Sequence, residues 1–194
     1  MKNFTKIILL MGTSLLLLIG CASKKPEKTI DNFINKLLSV KTYEGITFLE
    51  DEDKDEEMSG EIGIEESDES LDKYVEELKV NFVEYFTEDG FDNAMSNLIP
   101  HLYYSVINKD NINAITDIKI KKTKESENDA YKNYEFIHYE YEISYKLKSD
   151  DKSIDMKDYM IFKVMKNNPS VIEEVSIVKE KSSIFNEFRN SRNY

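Results

Sequence analysis

The chain has 194 residues, with 38 acidic against 26 basic, a formal charge of -12, no tryptophan and a single cysteine. This balance argues against nucleic acid, whose binding relies on neutralisation of phosphate by Lys and Arg, and against a polybasic lipid-binding face. One cysteine excludes an internal disulfide framework, and the length suits a single domain with its own core.

The first twenty residues place Lys2 and Lys6 before an apolar stretch from Ile7 to Ile19, followed by the small Gly20. That is the n-region, h-region and cleavage-site order of a secretory signal. A spanning helix needs about 20 apolar residues, more than this stretch supplies, so export and cleavage is the better reading. Leu18-Ile19-Gly20-Cys21 resembles the lipobox of bacterial lipoproteins. The resemblance implies a diacylglyceryl group on the Cys21 thiol, fatty acyl chains such as palmitate, and cleavage before Cys21. Stable anchoring requires two membrane signals, which two acyl chains provide. Removing residues 1–20 leaves 174 residues and takes away two lysines, bringing the mature charge near -14. The expected location is the extracytoplasmic face of the cell membrane, with the bilayer itself as the first partner.

Residues 21–25 form the lipidated cysteine and a short tether, and residues 26–180 the single expected domain. Nine extended steps from Cys21 to Ile30 reach only about 30 Å, so the domain works close to the lipid. From Pro26 a helix is expected, with Ile30, Phe33, Ile34, Leu37 and Leu38 at i, i+3, i+4, i+7 and i+8. Residues 44–70 lose all periodicity, and Glu50 to Glu57 carry seven acids against one lysine. Such a block repels itself and stays solvated. Asp51, Asp53 and Asp55 imitate the start of a calcium loop, but Glu56 stands where that loop turns on glycine and Ile62 where it needs a bidentate Glu. No cofactor or metal is therefore expected. A second helix is read from about Leu71 to Phe86, with a stripe of Leu71, Tyr74, Val75, Leu78, Phe82, Tyr85 and Phe86. Thr87 to Gly90 stop it, Phe91, Met95 and Leu98 suggest a shorter third helix, and Pro100 interrupts or restarts the chain before Leu102 to Ile107.

The period then drops from 3.6 to 2, the signature of strands. Strands are expected at 115–124, 131–148, 154–166 and 171–179, with a polar turn from Glu125 to Ala130. The second has Ile137, Tyr139, Tyr141, Ile143, Tyr145 and Leu147 on one face, with His138, Glu140 and Glu142 on the other. Short connections force antiparallel neighbours, giving an α+β fold of N-terminal helices on a curved four-stranded meander. Residues 181–194, with Ile184, Phe185, Phe188, Arg189 and Arg192, form a C-terminal tail.

Helices followed by long strands at 131–148 and 154–166, with Tyr85-Phe86-Thr87-Glu88-Asp89-Gly90-Phe91 joining helices two and three, is similar to the NTF2-like (cystatin-like) cone. The resemblance implies a pocket between the concave sheet face and helix one, where enzymes of this fold keep an acid or base. The row Ile154, Met156, Asp158, Met160, Phe162, Val164 puts one carboxylate among apolar residues. Desolvation would raise Asp158 toward a general base's range, and Tyr103, Tyr139 or Tyr141 could bind a ligand or donate to an oxyanion. The plainer reading has Asp158 bonded to backbone or a Tyr hydroxyl, as buried polar groups usually are. His138, Glu140 and Glu142 are about 7 Å apart in steps of two, too far to converge on one metal. His101 has no evident partner and reads as a surface or core-edge residue. Three readings result: a non-catalytic binding or scaffold module meeting an envelope protein, a pocket for a small apolar or peptide ligand, and an enzyme using Asp158.

Overall fold

A computed structural model describes residues 25–39, 68–97, 99–109, 111–128 and 136–191. The leader 1–20, Cys21, the acidic run Glu50 to Glu57, Leu98, residues 131–135 and Arg192 lie outside the described residues.

Helix α1, Pro26–Leu37, begins at a proline whose fixed φ suits a first turn, and Ile30, Phe33, Ile34 and Leu37 are fully buried along the expected stripe. Helix α2, Asp68–Phe82, starts earlier than its stripe suggested, so residues 68–70 belong to the helix and not to the acidic loop. It tightens into a 3-10 turn at Val83–Tyr85 where regular helix was expected. Tyr74, Leu78 and Phe82 are buried, but Val75 is 38% exposed. Side chains one residue apart on a helix do not share a face, so a stripe centred on Tyr74 turns Val75 outward.

Thr87 opens helix α3, Glu88–Ser96, accepting the Gly90 N–H at 3.0 Å and donating to Glu173 at 3.0 Å. Such a cap contributes about 1 kcal/mol. Gly90 is needed because a Cβ there would lie 2.5 Å from the Ile172 carbonyl oxygen. Helix α4, Ile99–Lys109, restarts with Pro100 in its first turn, where a missing N–H breaks no helical bond.

The four described strands form one antiparallel sheet in chain order: β1 Ala114–Asn128, β2 Phe136–Lys148, β3 Ser153–Met165 and β4 Glu174–Ile177. The α+β class and the meander are as expected, with corrections at the ends. The expected turn at Glu125 does not form there, since β2 offers backbone partners as far as the Asn128 to Phe136 pair. An edge strand open to water on one side accommodates the polar residues. Strand β4 is shorter than 171–179. Ile172 instead bridges Phe86, its N–H donating to the Tyr85 carbonyl, and the Val178 N–H turns back to the Tyr159 carbonyl. The last described helix, α5, Ser183–Ser191, lies against α4 and β3.

The sheet's inner face is the alternating row read from the sequence, with Tyr139, Tyr141, Ile143, Tyr145 and Leu147 all buried. Phe33 stands at the centre of the core. Its ring meets Phe86 at 5.1 Å, Phe82 at 5.8 Å and Phe162 of β3 at 6.0 Å, all edge-on as ring quadrupoles prefer.

Candidate functional site

Asp158 is the one charged residue on the inner face of β3, and it is fully buried. Its Oδ2 accepts hydrogen bonds from the Tyr145 hydroxyl at 2.6 Å and the Tyr103 hydroxyl at 2.8 Å. Its Oδ1 accepts the Ile184 N–H at 3.0 Å. The carboxylate thus ties three separate parts of the chain to β3: the neighbouring strand β2, helix α4, and the first turn of α5. Backbone N–H groups in a helix's first turn lack intrahelical partners and carry the positive end of the helix dipole, so a carboxylate there satisfies both needs.

Burial raises the Asp158 carboxyl above the usual carboxylate range, and the bonds from Tyr145, Ile184, Tyr103 and the Ser183 backbone pull against it. Both tyrosines are pushed well above the ordinary phenol value, first by burial and then by the neighbouring Asp158 charge. The tyrosine hydroxyls therefore act as donors throughout the ordinary pH range. Both carboxylate oxygens are engaged by groups of the chain itself, out of contact with solvent.

The tail around this tie is equally engaged. Ile184 is fully buried, as is Ser182, whose hydroxyl oxygen accepts the Tyr159 N–H at 3.1 Å. Ser183 Oγ accepts the Lys157 N–H at 3.0 Å. These N–H groups belong to the part of β3 that extends beyond β4, so two serines supply acceptors where β4 stops.

Of the three tyrosines singled out from the sequence, only Tyr103 reaches Asp158. Tyr141 flanks Ile143, the β2 partner of Asp158, on the side away from Tyr145, and Tyr139 lies two residues beyond; they stand opposite Lys122 and Glu125 of β1. The Tyr141 ring packs edge-on against Phe162 at 5.6 Å, and its hydroxyl is buried without a hydrogen-bond partner. Burial, then the charges of Asp31 and Glu27, raise its pKa. Lys122 sits over the Tyr139 ring at 5.4 Å, held by Glu27 of α1 at 3.1 Å and Glu125 at 2.6 Å.

Tyr145 and the Ile184 N–H are the partners that sequence reasoning missed. Tyr145 was visible on the inward row, and it faces Met156, the next inward residue before Asp158 on β3. The register sets both Tyr141 and Tyr145 diagonal to Asp158, and only the packed structure shows that the Tyr145 hydroxyl is the one that reaches it. His101 is 6% exposed rather than superficial, with Nδ1 3.3 Å from the Tyr74 hydroxyl and its ring 6.3 Å from Phe188 of α5. The ring fills the space where α2, α4 and α5 meet, which an isolated histidine in the sequence could not reveal. Glu142 binds Lys157 at 2.9 Å and the Tyr159 hydroxyl at 2.8 Å. Glu140 binds Lys124 at 3.0 Å. Among the described residues no cluster of His, Cys, Asp and Glu is arranged to hold a metal ion.

Among the described residues no helix is long and apolar enough to cross a membrane. No protein family, no curated protein and no solved structure matches this chain.

Proposed function

We propose that this chain is a lipoprotein tethered by a diacylglyceryl group on Cys21 to the extracytoplasmic face of the cell membrane, where its α+β domain serves as a non-catalytic binding or scaffold module. The tether rests on one observation, the run Leu18 to Cys21 at the end of an apolar segment that follows Lys2 and Lys6. The non-catalytic reading draws its support from Asp158, whose carboxylate is engaged by Tyr103, Tyr145 and Ile184 in a fully buried setting. A general base needs its proton acceptor within reach of a substrate, and this one is shared out among groups of its own fold.

We place the domain among NTF2-like cones as the finer form of this reading. Helices that precede an antiparallel meander, and α1 set against the inner face through Phe33 and Phe162, are what favour it. The space where such cones keep a ligand holds aromatic side chains here, which weighs toward partner binding on the outside of the domain.

The test is metabolic labelling of the full chain with a palmitate analogue, followed by membrane fractionation. Label on the wild type, with loss of both label and membrane retention in Cys21→Ala, is the expected result. A wild-type chain that takes up no label and leaves the membrane on a salt wash would overturn the tether. Pull-down from native membranes by the Asp158→Asn variant should recover the same partners as wild type.

A further inference from the structure

The two sides of the sheet are finished differently. On the β3 side, the stretch beyond β4 is covered by Ser182, Ser183 and α5. On the other side β1 is terminal, and among the described residues nothing pairs with its outer edge. A terminal strand presents alternate N–H and C=O groups outward, ready to pair with another strand.

That edge carries the most basic stretch in an acidic chain: Lys119, Lys121, Lys122 and Lys124 within six residues. Register shifts at Thr116/Lys119 and Lys122/Lys124 bracket a regular window in which Lys119 to Lys122 pair with Ser144 to Tyr141. Lys122 points inward and is used by Glu27 and Glu125, and Lys124 is used by Glu140. Lys119 and Lys121 are exposed on the outer face, two residues apart; Lys121 stands across from Glu142 of β2, whose carboxylate is taken by Lys157 at 2.9 Å and feels the Lys121 charge more weakly. Ile118, 37% exposed, adjoins them at the bulge where Asp117 takes a φ of 57°.

We propose that the β1 edge is an interaction surface for an extended acidic peptide segment of a partner protein, which adds to the sheet as a fifth strand over Lys119 to Lys122. Backbone pairing supplies the attraction common to strand addition, and side chains at alternate positions supply the choice of partner. Carboxylates two residues apart on the incoming strand meet Lys119 and Lys121 as cross-strand opposite charges. A second copy of this chain pairing in the same window would set lysine against lysine, which is destabilising, so the edge discriminates against itself while admitting an acidic strand. This names a partner class for the binding-module reading and rests on it. The edge itself does not depend on Cys21, so failure of one leaves the other standing.

The test uses the full chain in micelles of an uncharged detergent, titrated with an N-acetylated hexapeptide alternating Glu and Val and with its Lys-for-Glu counterpart. The Glu peptide should bind, weaken as salt rises, and lose affinity by about tenfold or more against the Lys119→Glu/Lys121→Glu double variant, while the Lys peptide does not bind wild type. An unchanged denaturation midpoint in the double variant shows that its fold is intact. Absence of Glu-peptide binding, equal binding of the two peptides, an affinity unaffected by the charge reversal, lysine-dependent self-association, or lysine-dependent capture only by anionic lipid vesicles would each overturn the proposal.

Discussion

The two sides of the sheet contrast: the stretch of β3 that β4 leaves uncovered is capped by the C-terminal segment, whereas among the described residues the outer edge of β1 is unpaired. Along β3, buried polar groups are matched: Asp158 by two hydroxyls and an N–H, and the Lys157 and Tyr159 N–H groups by Ser183 and Ser182. Along β1, most side chains from Asp117 to Glu127 are exposed, and the ion pairs of Lys122 and Lys124 lie at the surface. Stability concentrates where polar groups have been taken out of water, because there the loss of one partner leaves the other with its full desolvation cost. The solvated edge has little to lose by substitution and is correspondingly available for recognition.

Four substitutions or measurements bear on this contrast, the largest effect first. Asp158→Ala would strand two buried hydroxyls and a helix N–H beside a small cavity, and should lower unfolding free energy by about 3 kcal/mol, read from urea denaturation. A loss below about 1 kcal/mol would show that the tie does not hold α5. Ser182→Ala removes the acceptor for the Tyr159 N–H and should cost about 1 to 2 kcal/mol in the same assay.

The third is a pH profile. Because burial raises Asp158 in the folded state, the folded chain holds that proton more firmly than the unfolded chain does. Its contribution is therefore fully present below the ordinary carboxylate value of about 3.9, and declines as pH rises through the raised folded value. Glu27 is shifted the opposite way, chiefly by a backbone hydrogen bond, and loses its contribution as pH falls. Subtracting the stability profile of Asp158→Asn from that of wild type isolates the buried group. The difference should fall with rising pH above about 3.9 and then level; a flat or rising difference would mean that Asp158 is not held as described. Last, Lys119→Glu or Lys121→Glu alone should leave stability within about 0.5 kcal/mol of wild type, as exposed substitutions commonly do. A larger loss at either lysine would erase the contrast between the edges.

Much of this fold is legible in the sequence. The stripe Ile30, Phe33, Ile34, Leu37 reads as a helix because four residues at helical spacing leave little other choice, and the row from Ile137 to Leu147 reads as a strand for the same reason at period two. Asp158 stood out as a carboxylate in an apolar row. Element ends were less legible. β1 runs past Lys124 because β2 supplies partners, and Ile172 leaves the expected fourth strand to bridge Phe86. Both outcomes depend on neighbours distant along the chain.

What the sequence determined by itself was therefore local: which segments are helix or strand, which face of each is apolar, and which inward residue is out of character. The tertiary structure decided what that residue does. Asp158 meets Tyr145 through strand register, Tyr103 through the placement of α4, and Ile184 through the return of the C-terminal helix, and none of these distances is encoded in a periodicity. A repeating pattern records how a segment divides its side chains between water and core, whereas a hydrogen bond across 55 residues, as between Tyr103 and Asp158, exists only once the whole chain has packed.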